Sequence, residues 1–203
     1  MSGATDDFEQ LASFAFTPEN MERARAAIAK YPPGRQASAV LALLDLAQRQ
    51  CGGWLPRAAM DEVARILDMA PIRVYEVGTF YTMFNLKPVG RYHLQLCRTT
   101  PCWLRGSDAL LDTCRRKLGI DRNERTADGL FSLVEVECLG ACVNAPVVQI
   151  NDDYYEDLDP AALERILDAL ARGETPRPGS QTGRQGSAPE GAPTLRPVPP
   201  AGE

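Results

Sequence analysis

The sequence predicts an α+β chain: a bundle of helices, then a compact domain of strands and helices, then an extended or disordered tail. Three observations carry this expectation. Apolar residues recur at helical spacing up to residue 86, the pattern changes to alternation after Lys87-Pro88-Val89-Gly90, and large apolar residues nearly vanish from Gly173 onward. The segments implied are an N-terminal arm at 1–15, a helical bundle at 16–86, a strand-and-helix domain at 87–172 and a tail at 173–203.

In the bundle, Thr17 is an N-cap residue followed by Pro18, the residue favoured at the first helical position. Met21, Ala24 and Ile28 repeat at helical spacing until Tyr31-Pro32-Pro33-Gly34 stops the run. A second helix is expected at 36–50, with Val40, Leu41, Leu43, Leu44 and Ala47 on a broad apolar face, ended by Cys51-Gly52-Gly53. A third is expected at 57–69, with Met60, Val63, Ala64 and Leu67 on one stripe, and Pro71 opens a fourth at 72–80. Helices joined by turns this short form a small bundle.

In the second domain, Tyr92, Leu94 and Leu96 alternate with Arg91, His93 and Gln95, which reads as a strand at 91–97. Ser107 is expected to cap a helix at 108–118 that Gly119 ends. Strands follow at 131–137 and 147–150, the latter in a hairpin with a short strand near Tyr154 and Tyr155. Asp159-Pro160 starts a last helix whose inner face is Leu163, Ile166, Leu167 and Leu170. Strand–helix–strand–strand–helix describes an α/β or α+β sandwich. The tail is rich in Pro, Gly, Ser and Gln, so it buries too little surface to offset its ordering entropy unless it lies on a partner.

Composition narrows the function. A net charge of −5 gives no electrostatic basis for a nucleic-acid or anionic-lipid partner. No apolar run approaches the ~20 residues that span a bilayer, so membrane insertion is not expected. Residues 1–10 are acidic and polar, without the features of a secretory or transit peptide, and the expected location is cytoplasmic. In a reducing compartment, clustered cysteines point to metal ligation or redox chemistry rather than disulfides.

Of six cysteines, Cys51 and Cys114 stand alone, and the other four form two close pairs. Cys97-Arg98-Thr99-Thr100-Pro101-Cys102 is C-x4-C, and Cys138-Leu139-Gly140-Ala141-Cys142 is C-x3-C, with 35 residues between the pairs. Each pair begins where a strand ends. If the two strands are neighbours, their following loops lie side by side, and four thiolates converge as two for each iron of a [2Fe–2S] cluster. Gly140 allows close backbone approach, Pro101 stiffens the first loop, and amides near Thr99, Thr100 and Gly140 are placed to donate to sulfur. A four-cysteine zinc site has overlapping spacing and stands as the alternative, although such sites favour C-x2-C and this domain has apolar residues enough to fold without metal. A thioredoxin-type C-x-x-C dithiol is absent.

Three long motifs then carry a resemblance. Val77-Gly78-Thr79-Phe80-Tyr81-Thr82-Met83-Phe84-Asn85 with Lys87-Pro88-Val89-Gly90 is one. Thr99-Thr100-Pro101-Cys102-Trp103-Leu104-Arg105-Gly106-Ser107-Asp108 and Glu135-Val136-Glu137-Cys138-Leu139-Gly140-Ala141-Cys142-Val143-Asn144-Ala145-Pro146 are the others. Together they resemble the family of 24 kDa [2Fe–2S] subunits of respiratory complex I, over about residues 16–183. The resemblance implies a thioredoxin-like ferredoxin domain behind a helical bundle, and one [2Fe–2S] cluster on Cys97, Cys102, Cys138 and Cys142. It also implies a flavin- and NADH-binding partner subunit within the peripheral arm of an NADH:quinone oxidoreductase. FMN and NADH are then expected on that partner, with this chain accepting single electrons and binding neither NADH nor quinone. Attachment to the cytoplasmic face of a bacterial inner membrane would come through the complex. The alternative settings are the related diaphorase modules of NAD-linked hydrogenases and formate dehydrogenases. In the tail, Gly179-Ser180-Gln181-Thr182-Gly183-Arg184 follows the family, whereas residues 185–191 only approximate it.

Other polar residues have plainer readings. Cys114 and Cys51 are expected to be structural. His93 is the single histidine, too few for a Rieske-type centre. Arg98, Trp103 and Arg105 flank the first pair and suit either tuning of the cluster or contact with the flavin subunit, or else a surface loop with one packed aromatic. Arg115-Arg116-Lys117 is expected to be a solvated helix face, with partner contact as the alternative.

Overall fold

The computed structural model describes residues 8–184 and residue 186; the first seven residues of the arm and most of 185–203 lie outside the described residues. The chain divides into two compact units, with the break between Val89 and Gly90.

The first unit is helical: α1 (Pro18–Ile28), α2 (Val40–Gln50), α3 (Arg57–Ile66) and α4 (Pro71–Phe80). The Thr17 side chain accepts from the Asn20 amide at 3.3 Å and caps α1, as expected. The apolar stripes meet in one core containing Ala24, Leu43, Leu44, Ala47, Ala59, Val63 and Val74. Gly78 marks a tight approach, since a Cβ there would lie 2.9 Å from Met60 Sδ. Two boundaries differ from expectation. Residues 36–39 form a 3-10 turn ahead of α2. Helix α3 ends at Ile66 rather than residue 69, because Asp68 turns left-handed (φ 52°) and the Met69 amide returns to the Ala64 carbonyl at 2.9 Å.

The second unit has a six-stranded mixed sheet. Its elements are β1 (Tyr92–Cys97), α5 (Thr100–Leu104), α6 (Ser107–Leu118), β2 (Glu124–Arg125), β3 (Phe131–Val136), β4 (Val148–Ile150), β5 (Asp153–Glu156), α7 (Pro160–Ala171) and β6 (Gly179–Ser180). The sheet order is β2-β3-β1-β4-β5-β6. Strands β1 and β3 run parallel, joined through α6, and β4–β5 is the expected antiparallel hairpin. Alternation gives one face of the sheet to a core of Leu94, Leu96, Leu133, Val148 and Ile150 under α6 and α7. Burying each such side chain stabilises the fold by about 1.5–3 kcal/mol. At the entry to β1, Gly90 is required, because a Cβ would meet the Phe131 carbonyl carbon at 2.4 Å.

Three features depart from the sequence reading. The expected first cysteine loop is largely the short helix α5, with Pro101 in its first turn rather than stiffening a loop. Ser107 does not cap α6: the cap position falls on left-handed Gly106, and the buried Ser107 hydroxyl has no hydrogen-bond partner among the described residues. Part of the tail is an element of the domain, because β6 pairs in parallel with β5. Among the described residues, no helix is long and apolar enough to cross a membrane.

Candidate metal centre

The parallel pairing of β1 and β3 sets Cys97 beside Val136, two residues before Cys138, so the chain leaves both strands at the same end of the sheet. Cys97 is the last residue of β1, and Cys102 sits in α5, where Trp103 N donates to the Thr99 carbonyl at 3.0 Å. Both cysteines are 1% exposed. The second pair lies on an irregular turn. Gly140 takes a left-handed φ of 82°, its amide donates to Cys138 Sγ at 3.4 Å, and the Cys138 and Cys142 sulfurs are 3.3 Å apart. The Thr99 hydroxyl is 3.4 Å from Cys97 Sγ. Cys97, Cys102, Ala145 and Val147 form an apolar floor flanked by Leu139, Ala141 and Tyr154. The Tyr154 hydroxyl donates to the Leu139 carbonyl at 2.8 Å and pins the outer turn.

The thiols act on one another across the two pairs. Burial pushes Cys102 up to about 12, and the neighbouring Cys97 and Cys142 add to this. Burial also opposes ionisation of Cys97, but the Thr99 hydroxyl and the Leu139 and Thr99 amides hold it below its ordinary value. The Gly140 amide, then Cys142, lowers Cys138, and Cys142 is raised by the hydrogen bond with Cys138 and by the Cys138 and Cys97 charges. Crowded thiolates oppose each other's ionisation, and a bound cationic centre removes that opposition. The sulfurs come as two pairs, one inner and one outer. A [2Fe–2S] centre takes two sulfurs on each iron, whereas four-cysteine zinc draws all four to one point. The residues present therefore fit the two-iron group.

The flanking polar residues are tied into the domain. Arg98 bonds Glu135 at 3.0 Å and pairs with Asp108, which also accepts from the Trp103 indole N–H at 3.0 Å. Arg105 is exposed. Trp103, Leu104 and Val143, each following a cysteine of the centre by one or two residues, are 54%, 71% and 57% exposed. Arg116 and Lys117 are not merely solvated, since they pair with Glu164 and Asp168 of α7. Cys114 is fully buried with its thiol pushed up to about 12, and half-buried Cys51 is raised to about 11, both by burial. His93 Nδ1 lies 2.8 Å from the Ser132 hydroxyl, and burial lowers the ring to about 4. Sequence reasoning did not single out Tyr154, Asn144, Asp157 or Arg184 as supports of the outer turn. For Arg184, the motif at 179–184 is the signal that could have found it.

A mixed sheet with helices on one face and paired cysteines at one end defines a small thioredoxin-like protein of the ferredoxin class. The sequence profile described as thioredoxin-like [2Fe-2S] ferredoxin matches residues 24–171, and the chain belongs to that family. It is 62% identical to the E subunit of the NADH-quinone oxidoreductase of Rickettsia bellii, over 79% of this chain and 96% of the relative. It is 49% identical to the mitochondrial NADH dehydrogenase [ubiquinone] flavoprotein 2 of Dictyostelium discoideum, over 94% of this chain and 78% of the relative. The crystal structure of the air-oxidized NAD+-reducing [NiFe]-hydrogenase shares the fold at a TM-score of 0.57 and 24% identity. That match covers 64% of this chain and 23% of the hydrogenase chain, and it concerns the fold alone.

Proposed function

We propose that this chain is the [2Fe–2S] electron-transfer subunit of an NADH-quinone oxidoreductase, and that Cys97, Cys102, Cys138 and Cys142 hold its one cluster. The observation that carries the reading is the meeting of two cysteine pairs at one end of the parallel β1–β3 pair, with hydrogen-bond donors on the sulfurs. When bound, the cluster supplies a one-electron redox couple. The protein's part is to hold and tune that couple. Cys97 and Cys102 fix two sulfurs against the apolar floor, while Gly140 N–H and Thr99 O–H donate to sulfur and favour the more negative, reduced state. Its single histidine is engaged with Ser132 inside the sheet.

FMN and NADH belong to a neighbouring subunit, from which electrons enter, a reading that the similarity to NADH-quinone oxidoreductase E subunits supports. Exposed Trp103, Leu104 and Val143 beside the cysteines give that neighbour an apolar rim to cover. The similarity over nearly the whole length of the Rickettsia bellii relative supports NADH-quinone oxidoreductase as the setting. That setting is the peripheral arm on the cytoplasmic face of a bacterial inner membrane.

The test is iron, zinc and acid-labile sulfide analysis of anaerobically purified protein, with EPR on reduction. Two irons and two sulfides per chain with a rhombic signal are expected of a [2Fe–2S] protein. Zinc without iron sinks the electron-transfer reading. Co-purification with a flavin-binding subunit and membrane subunits is expected, and a nickel-containing partner in their place would move the chain to a hydrogenase.

A further inference from the structure

The tail motif at 179–184 returns to the outer cysteine turn. Strand β6 lies beside β5, and Gln181 N donates to the Glu156 carbonyl at 2.9 Å. Asp157, next in the chain, has a side chain only 5% exposed and a left-handed φ of 53°. Its carboxylate accepts from the Ser180 hydroxyl at 2.6 Å and from Arg184 Nε at 2.9 Å and Nη2 at 2.6 Å. The same Arg184 Nη2 donates to the carbonyl of Val143, the residue that follows Cys142. The turn's exit is stitched to the same place: Asp157 N donates to the Asn144 carbonyl at 2.7 Å, and Asn144 Nδ2 to Glu156 at 2.6 Å.

The geometry points to a clasp: Arg184 and Asp157 are positioning residues that hold the turn carrying Cys138 and Cys142, and their opposite charges bias the redox balance of the centre there. This rests on the cysteine assignment proposed above. The turn has only a few local bonds, from Gly140 N to Cys138 Sγ and from Asn144 N to the Ala141 carbonyl, so contacts from elsewhere in the chain add to its hold on the sulfurs. Two guanidinium N–H groups that converge on one oxygen of a buried carboxylate make a charge-assisted, directional contact of this kind. The charge argument has a definite sign. Reduction adds negative charge to the centre, so Arg184 favours the reduced form and Asp157 opposes it.

The experiment uses the full chain with Arg184→Gln, Arg184→Lys and Asp157→Asn. Hydrogen exchange of the 141–144 amides, measured on cluster-free protein, reads the clasp without the metal; Arg184→Gln is expected to accelerate it about tenfold. In loaded protein, Arg184→Gln loses iron faster than the parent and its midpoint potential falls. Asp157→Asn also loosens the turn, but its potential rises. Arg184→Lys restores the potential while leaving exchange fast, because it keeps the charge and loses the fork. Parental exchange rates in Arg184→Gln overturn the positioning role. Potentials that shift with the same sign in Arg184→Gln and Asp157→Asn overturn the charge role. Parent protein without iron overturns the cysteine assignment, and the exchange data still judge the clasp.

Discussion

The two cysteine pairs reach the same end of the sheet by different means. Cys97 and Cys102 stand on a strand and a helix, are 1% exposed, and inherit their positions from backbone hydrogen bonds. Cys138 is exposed and Cys142 half-buried, on a turn held by Tyr154, by the Gly140 amide and by the Arg184–Asp157 pair. The inner pair is fixed by regular structure, and the outer pair by a local amide together with side chains distant in sequence. The outer sulfurs are consequently the more exposed ones and the ones that the tail contacts reach.

The largest test of this comparison is Cys142→Ala beside Cys114→Ala. Cluster iron should be lost completely in the first and retained in the second, because Cys114 is buried in the core of α6 and the sheet. Equal loss in both would break the assignment of the outer pair. Leu96→Ala comes next. Leu96 is fully buried beside Cys97, and its truncation should cost about 2–5 kcal/mol in chemical unfolding. A loss below that range would mean that the inner pair does not depend on the core beneath it.

A third effect is pH-dependent. His93, on the strand that carries Cys97, is lowered by burial from 6.5 to about 4 in the folded state. The unfolded chain therefore binds the extra proton first, and stability falls as the pH drops from 6.5 to about 4. The full contribution is about 3 kcal/mol. His93→Gln should flatten that part of the stability–pH curve, and an unchanged slope would remove His93 as its source. The smallest expected effect is kinetic. In cluster-free protein, an alkylating reagent should modify Cys138 about tenfold faster than Cys97 or Cys102, because exposure governs access. Equal rates, read by mass spectrometry of the peptides, would erase the distinction between inner and outer pairs.

Local sequence determined much of this molecule. Period-3.6 stripes marked α1 to α3, Pro71 marked the start of α4, Thr17 and Asp159 marked two further helix starts, and period-2 alternation marked β1. These are near-neighbour effects of chain geometry, visible in any window of a few residues. The cysteine spacing likewise named four candidates for one site before any contact between them was known. Tertiary structure decided the rest. It made a helix of residues 100–104, left the Ser107 hydroxyl without the cap it was expected to supply, and drew residues 179–184 onto the sheet edge. Arg184 and Asp157 are 27 residues apart, and no local window relates them. Their pairing depends on a buried carboxylate finding its guanidinium once β5, β6 and the outer turn are in place. The periodicity of a chain records which face is buried, whereas long-range polar contacts are set only when folding brings their partners together.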